Sequence, residues 1–227
     1  MASERCEPGA TDAGLGAIAS ATGQGLPQLG AAETGACVNV AVAGRSGSGK
    51  SSFINALLGL PAGDPGAAAV GVCETTMQPT CYEVPHMRNF RLWDIPGADT
   101  QTFASETYIR AMGLTHFDMV VIIVLSPYTG TEQTIARELQ SCSIPHFVVR
   151  TKVDIDIDNN LYDHEIPEHE TLASIRAAML EHGIERPYLI SARRARDFDL
   201  DRLAHDLVQT VLLASSELAS AKGEPGE

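Results

Sequence analysis

Residues Gly44-Arg45-Ser46-Gly47-Ser48-Gly49-Lys50-Ser51 follow the pattern G-x-x-x-x-G-K-S, and this stretch decides the fold. The apolar run 38–43 leads directly into it, and residues 52–58 after it have the spacing of an amphipathic helix. A strand, a glycine-rich turn and a helix in this order are the context in which the pattern forms a phosphate-binding loop. We therefore predict such a loop at 44–51; the alternative is a glycine-rich turn that matches the pattern by chance.

The predicted phosphate loop, residues 44–51, implies a definite chemistry. Glycines allow the backbone to wrap around a pyrophosphate, so that consecutive N–H groups and the start of a helix point at the anion. Lys50 is expected to reach the β- and γ-phosphates and to assist catalysis, and the Ser51 hydroxyl is expected to coordinate Mg²⁺. The predicted nucleotide contacts here are Gly44, Gly47, Ser48, Gly49, Lys50, Ser51 and Ser52.

The composition narrows the class of protein. The chain has 227 residues, of which 44% are hydrophobic, and this suits one domain with tails. A formal net charge of −13 argues against nucleic-acid binding, because phosphate contacts need a basic surface. The five cysteines show no metal-ligand spacing, and the apolar run 119–125 is too short to span a bilayer. We expect a soluble, cytoplasmic protein.

The order of apolar segments predicts an α/β domain. Residues 1–36 are rich in small and polar side chains and are predicted to be disordered, and 219–227 are predicted to be a polar tail. Within the domain, 37–218, apolar runs at 90–93, 119–125, 146–149 and 188–190 predict buried strands, and helical stripes lie between them. We predict a doubly wound, mostly parallel sheet with helices on both faces and a ligand crevice at the carboxyl ends of the strands.

A second motif, Asp94-Ile95-Pro96-Gly97, ends one of the predicted strands. Its carboxylate is expected to hold Mg²⁺ through water, and the Gly97 N–H is expected to bind the γ-phosphate. Alone, D-x-P-G is a common turn. Its place after an apolar strand, downstream of the phosphate loop, favours the nucleotide interpretation.

A third motif, Thr151-Lys152-Val153-Asp154, follows the strand at 146–149 and predicts guanine recognition. The Asp154 carboxylate can accept hydrogen bonds from guanine N1–H and from the exocyclic amine, whereas adenine offers no matching donor edge. The Lys152 stem is expected to lie across the purine. Thr151 stands where Asn is usual, which predicts a weaker contact with the phosphate loop. The alternative is a helix-capping turn.

Two weaker signals complete the predicted site. Ser191 and Ala192 end the next strand, where a backbone N–H can meet guanine O6. The segment Glu74-Thr75-Thr76 lies where the first switch is expected, and we prefer Thr76 over Thr75 as the hydroxyl that completes a Mg²⁺ shell with Ser51 and Asp94. Glu74 and Thr76 are candidate catalytic groups. A plain surface loop is the alternative.

Four motifs together resemble the immunity-related (interferon-inducible) GTPases. They are G-x-x-G-x-G-K-S-S-F-I-N-A-L, G-V-x-E-T-T-M from Gly71, L-W-D-I-P-G and F-V-V-R-T-K-V-D, and the resemblance runs from about Cys37 to about Ala214. It implies GTP or GDP with Mg²⁺ as ligands, Gly71 among the nucleotide contacts, and a dynamin-like GTPase that self-associates. It also implies action at intracellular membranes, so a peripheral location on such membranes is the alternative to a purely cytoplasmic one.

Ala98 bears on the rate of hydrolysis. In Ras-like enzymes a glutamine at this position, just after the D-x-x-G glycine, orients the attacking water, and alanine cannot do so. We therefore expect slow turnover by monomers and faster turnover in a homodimer formed across the nucleotide face. The alternatives are a truncated, nucleotide-gated interaction module with little turnover and a ribosome-assembly-type GTPase.

Overall fold

The computed structural model describes residues 37–71, 76, 78–85, 87, 90–98, 105–125, 128 and 130–221. The predicted disordered segment 1–36 lies outside these residues and stays a prediction. A six-stranded sheet runs through the centre of the domain. Its strands are β1 (Val38–Gly44), β2 (Thr80–Glu83), β3 (Phe90–Asp94), β4 (Met119–Val124), β5 (His146–Arg150) and β6 (Tyr188–Leu189).

The sheet is mostly parallel, in the order β2-β3-β1-β4-β5-β6. Strand β1 pairs in parallel with β3 and with β4, β5 continues in parallel from β4, and β6 from β5. The carboxyl ends of these five strands therefore meet at one edge, and the order reverses direction at β1. The predicted doubly wound parallel sheet is confirmed.

Strand β2 was not predicted. It pairs antiparallel with β3 at the edge of the sheet, where Cys81 lies opposite Trp93. Its four residues are exposed or only half-buried, so they lack the continuous apolar run that marks the central strands. Its pairing partner, rather than its own composition, makes it a strand.

Six helices and one short 3-10 helix surround the sheet within the described residues. The helices are α1 (Lys50–Leu58), α2 (Ser105–Ala111), α3 (Gly130–Ser141), α4 (Val153–His164), α5 (Glu168–Glu181) and α6 (Leu200–Ala221), with the 3-10 helix at Leu114–His116. The predicted stripes fall on α3, α5 and α6, and Gly183, two residues after the end of α5, has φ +80°, a left-handed conformation typical of glycine after a helix. Helix α6 extends three residues beyond the predicted domain boundary at 218, and 222–227 lie outside the described residues.

Alternate side chains of β1 enter two separate apolar clusters, one on each face of the sheet. Val40 and Val42 pack with side chains of α1 and α6, whereas Ala41 and Ala43 pack with those of α2, α3 and α5. Burial on both faces explains why the central strands have continuous apolar sequences. Among the described helices, none is both long and apolar enough to cross a membrane.

Candidate functional site

The phosphate loop leaves the sheet where β1 passes closest to β4. Gly44 has φ +146°, and a Cβ at this position would lie 2.3 Å from the carbonyl oxygen of Ile123. Only glycine fits so close to the neighbouring backbone. The loop then turns directly into α1, which begins at Lys50 after Gly49 in a left-handed conformation. The predicted strand, loop and helix are therefore present, with Ser52 half-buried in the first turn of α1.

Lys50 is 6% exposed and lies along the phosphate loop. Its Nζ donates hydrogen bonds to the carbonyl oxygens of Gly44, at 3.3 Å, and Arg45, at 3.0 Å. Ser48 is fully buried, and its hydroxyl oxygen finds no hydrogen-bond partner within the described part of the chain. The Lys50 ammonium group and the Ser48 hydroxyl thus both lie in the loop where an anion is predicted to bind.

Three predicted metal-binding side chains converge at the end of β3. The Ser51 hydroxyl donates to Asp94 Oδ2 at 2.6 Å, and the Thr76 hydroxyl donates to the same oxygen at 3.0 Å. Asp94 is 1% exposed, and its other oxygen, Oδ1, is buried and accepts no hydrogen bond from the described residues. Burial raises the pKa of Asp94, while the two hydroxyls and the charge of Lys50 oppose that shift.

This oxygen cluster fits a hard divalent cation. Mg²⁺ is held in proteins by one or two carboxylates together with hydroxyl, water and phosphate oxygens, and an orphaned buried carboxylate oxygen is an available ligand. Thr76 lies beside Ser51 and Asp94, and the preference for Thr76 over Thr75 stays a prediction. Glu74 and Thr75 lie outside the described residues, so their predicted roles stay predictions. Gly71 is exposed, and its role also stays a prediction.

Gly97 lies against the phosphate loop. A Cβ at Gly97 would lie 2.6 Å from the Ser46 Cα, so no side chain fits there. The next residue, Ala98, is fully buried; its N–H donates to the Gly44 carbonyl oxygen and its carbonyl oxygen accepts from the Ser46 N–H, both at 3.1 Å. Position 98 therefore serves packing and backbone pairing, in agreement with the expectation that it orients no water.

The base loop, residues 151–154, contacts the phosphate loop at two points. The Thr151 hydroxyl donates to the Ser48 carbonyl oxygen at 2.7 Å, and Lys152 Nζ donates to the Gly47 carbonyl oxygen at 2.9 Å. The threonine hydroxyl thus reaches the phosphate loop directly, and the expectation that this contact is weaker than that of an asparagine stays a prediction. Asp154 follows in the first turn of α4; it is 6% exposed, and no hydrogen bond to its carboxylate appears among the described residues.

Ser191 does not end the next strand as predicted but lies two residues after β6, and the carbonyl oxygen of its neighbour Ile190 accepts the Val153 N–H of the base loop at 3.3 Å. The Ser191 side chain is 1% exposed, and its hydroxyl accepts the backbone N–H groups of Arg193, at 3.2 Å, and Arg194, at 3.1 Å. The hydroxyl therefore shapes the turn. The predicted contact of the Ser191 and Ala192 backbone with a base stays a prediction.

Two groups near the site were missed by sequence reasoning. The guanidinium of Arg150 is 4% exposed and donates to the Thr151 carbonyl oxygen and, at 2.5 Å, to Asp156 Oδ2. The hydroxyl of Tyr108, on α2, donates to the Pro96 carbonyl oxygen at 2.7 Å. An arginine directly after a buried strand was a usable signal for the first group. A tyrosine in a short helix carries no comparable signal.

The sequence matches the family model described as Interferon-inducible GTPase (IIGP) over residues 28–217. It is 34% identical over 182 residues to Interferon-inducible GTPase 1 of Mus musculus and 35% identical over 182 residues to Interferon-inducible GTPase 5 of Rattus norvegicus. Each alignment covers 75% of this chain but only 44% and 39% of the two relatives. The chain thus spans less than half the length of these curated relatives.

Solved structures support the fold. Aquifex aeolicus Era bound to GDP·AlF4− has a TM-score of 0.51 at 20% identity, covering 76% of this chain and 56% of that one. A bacterial selenocysteine-specific elongation factor, EF-Sec, has a TM-score of 0.51 at 17% identity, covering 78% of this chain and 29% of that one. Likeness at these identities shows a shared fold, the P-loop G domain.

Proposed function

This chain belongs to the interferon-inducible GTPase family, and on that premise we propose that it binds guanine nucleotides with Mg²⁺ and hydrolyses GTP to GDP and phosphate. One observation carries the proposal: the base loop is held to the phosphate loop by the Thr151–Ser48 and Lys152–Gly47 hydrogen bonds. Because the two loops are joined directly, one ligand can occupy the phosphate loop with its phosphates and reach Asp154 with its base.

Base selection follows from the chemistry of Asp154. A partly desolvated carboxylate that accepts from guanine N1–H and the exocyclic amine gains two charge-assisted hydrogen bonds, each contributing about 1.5–3 kcal/mol. ATP would leave the carboxylate without these donors. Asp154 is only 6% exposed, so a bound ATP that offers its carboxylate no hydrogen-bond donors would cost free energy. This supports weaker binding of ATP than of GTP.

Three side chains are proposed to hold the metal. Ser51 and Thr76 supply hydroxyl oxygens, and Asp94 acts through a coordinated water. When bound, Mg²⁺ would neutralise charge on the β- and γ-phosphate oxygens. Thr76 comes from the predicted first switch, so we propose that its contact with the metal site depends on whether a γ-phosphate is present.

The attacking water must be oriented by groups other than residue 98, because Ala98 is buried and both its backbone groups are hydrogen-bonded. Glu74 and Thr76 are the candidates from this chain, and a facing subunit is the candidate from outside it. We therefore propose that self-association across the nucleotide face accelerates hydrolysis. Specific activity is expected to rise with protein concentration; a flat profile would contradict self-activation.

Calorimetric titration of the full chain with GDP, GTP and ATP in Mg²⁺ buffer tests the binding proposal. Saturable binding of GDP and GTP, with ATP weaker by at least about a hundredfold, is expected from the two lost charge-assisted bonds. Equal affinity for ATP, or no response to guanine nucleotides, would refute it.

A nucleotide-gated binding module with little turnover is the second candidate, favoured by the same absence of a polar side chain at residue 98. Single-turnover hydrolysis with excess protein separates the two functions. An enzyme converts bound GTP to GDP and phosphate at high protein concentration, whereas a binding module leaves it intact.

A further inference from the structure

Three hydrogen bonds hold the segment Pro96-Gly97-Ala98 against the phosphate loop. Two of them are the backbone bonds that join Ala98 to Gly44 and Ser46. The third comes from helix α2, whose Tyr108 hydroxyl donates to the Pro96 carbonyl oxygen at 2.7 Å. The segment between the two attachments contains the single N–H that is proposed to bind the γ-phosphate, that of Gly97.

Tyr108 is well suited to hold the Pro96 carbonyl group in place. Its side chain is fully buried, in the apolar cluster that also contains Ile95, Ile109 and Leu114. Burial raises its pKa above the usual value; a hydrogen bond with the Gly44 backbone opposes this shift, and the charge of Asp94 adds to it. The hydroxyl therefore keeps its proton at neutral pH and remains a donor.

The geometry of one peptide unit connects Tyr108 with Gly97. The Pro96 carbonyl and the Gly97 N–H belong to the same peptide plane, in which C=O and N–H point in opposite directions when the bond is trans. A donor that fixes the carbonyl therefore fixes the direction of the N–H. A hydrogen bond to the carbonyl also polarises the peptide, which strengthens its N–H as a donor.

We infer that Tyr108 is a positioning residue for the γ-phosphate: its hydrogen bond to Pro96 aims the Gly97 N–H, and so it favours the triphosphate over the diphosphate. The inference rests on the proposed GTP-binding function. Gly97 has no room to compensate by moving towards the phosphate loop, because it already lies against Ser46. Tyr108 itself touches no phosphate.

Tyr108→Phe tests this role, because it removes the hydroxyl and keeps the buried ring. The affinities of the wild-type chain and the variant for GDP and for a non-hydrolysable GTP analogue are measured by calorimetry in Mg²⁺ buffer. The analogue is expected to bind the variant about five- to tenfold more weakly, as for one lost hydrogen bond, with GDP affinity unchanged.

Tyr188→Phe is the matched control. Tyr188 is 3% exposed, and its hydroxyl donates to Asp206 at 2.6 Å in a partly buried hydrogen bond, so this variant also loses one tyrosine hydrogen bond, but away from the phosphate loop. Thermal unfolding is expected to show a similar loss of stability in both variants. The ratio of analogue to GDP affinity is expected to change only in Tyr108→Phe.

Every outcome decides the inference. If Tyr108→Phe weakens both nucleotides equally, loses GDP binding, or leaves both affinities unchanged, Tyr108 is only a structural residue and the inference is wrong. If the wild-type chain binds neither nucleotide, the proposed function fails first. Wild-type binding of both nucleotides with an unchanged ratio in Tyr108→Phe overturns this inference alone.

Discussion

The hydroxyl of Thr151 donates a hydrogen bond to the carbonyl oxygen of Ser48 at 2.7 Å, across 103 residues of sequence. The same hydroxyl lies 3.3 Å from the carbonyl oxygen of Val124, so it stands between β4 and the phosphate loop. Together with the Lys152–Gly47 hydrogen bond, this side chain joins the predicted base site to the predicted phosphate site.

Removal of the Thr151 hydroxyl is expected to weaken GDP and GTP alike. Thr151→Val keeps the shape of the side chain but leaves the Ser48 carbonyl without its partner, so both affinities should fall about five- to tenfold. Thr151→Ser retains the donor and serves as the control in the same calorimetric titration. Unaltered affinity in the valine variant would show that the contact does not position the base loop.

Asp154→Asn is expected to shift the base preference of the site from guanine to xanthine. The amide presents a donor where xanthine has its O2 oxygen, and it no longer accepts from the guanine exocyclic amine. Affinity for GDP should fall by at least about a hundredfold, because two charge-assisted hydrogen bonds are lost. Affinity for xanthosine diphosphate should rise. Competition of the two diphosphates for one fluorescent nucleotide measures the change. Intact guanine affinity would place the base elsewhere.

Asp94→Asn is expected to abolish most of the effect of Mg²⁺ on nucleotide binding. The amide is a poorer ligand than a carboxylate, and it disturbs the hydroxyls of Ser51 and Thr76 that converge on Asp94 Oδ2. Adding EDTA should weaken GTP binding by the wild-type chain at least about tenfold. It should change the GTP affinity of Asp94→Asn far less. An equal response to EDTA in both proteins would argue against a metal at Asp94.

The ion pair between Arg150 and Asp156 lies behind the base loop, with its nitrogen and oxygen 2.5 Å apart. Asp156→Asn leaves the arginine, which is 4% exposed, without its counter-charge, and is expected to lower the free energy of unfolding by about 2–3 kcal/mol. Asp158→Asn, exposed on the same helix, is the control and should change it by less than about 0.5 kcal/mol. Urea unfolding measures the free energy of unfolding of both variants. Equal changes in the two would mean that the ion pair contributes little to stability.

Asp199 is expected to make stability depend on acid pH. Burial by itself would raise its pKa, but the Leu189 N–H, Arg202 and Arg176 together lower it. Since its pKa is lower in the folded protein than in the unfolded chain, its stabilisation is present above the unfolded value and is lost as pH falls through the folded value.

Asp199→Asn therefore flattens the pH profile of stability. The wild-type chain should lose more stability than this variant as the pH falls from about 6 to about 3, measured by urea unfolding. Asp201→Asn, exposed in the first turn of α6, which begins directly after Asp199, should keep the wild-type profile. Parallel profiles for the wild-type chain and Asp199→Asn would contradict the assignment.

Local patterns predicted most of the fold and much of the site. The phosphate loop could be recognised because its glycines, lysine and serine are adjacent in sequence, and β4 because both its faces are buried. Strand β2 and helix α2 were not predicted, since a half-exposed edge strand and a seven-residue helix have weak patterns of their own. Tertiary pairing and packing decide such elements.

The sequence by itself determined the candidate chemistry: a phosphate loop, a carboxylate at Asp154 that is predicted to select guanine, and the alanine at residue 98, because each depends on residue types at short spacing. Only the tertiary structure decided how these pieces are joined. Thr151 reaches Ser48 because the ends of parallel strands, distant in sequence, meet at one edge of the sheet, whereas Thr76 reaches Asp94 from the loop before β2 and Tyr108 reaches Pro96 from α2. Hydrogen bonds between such segments depend on distances of a few tenths of an ångström, which no residue pattern specifies.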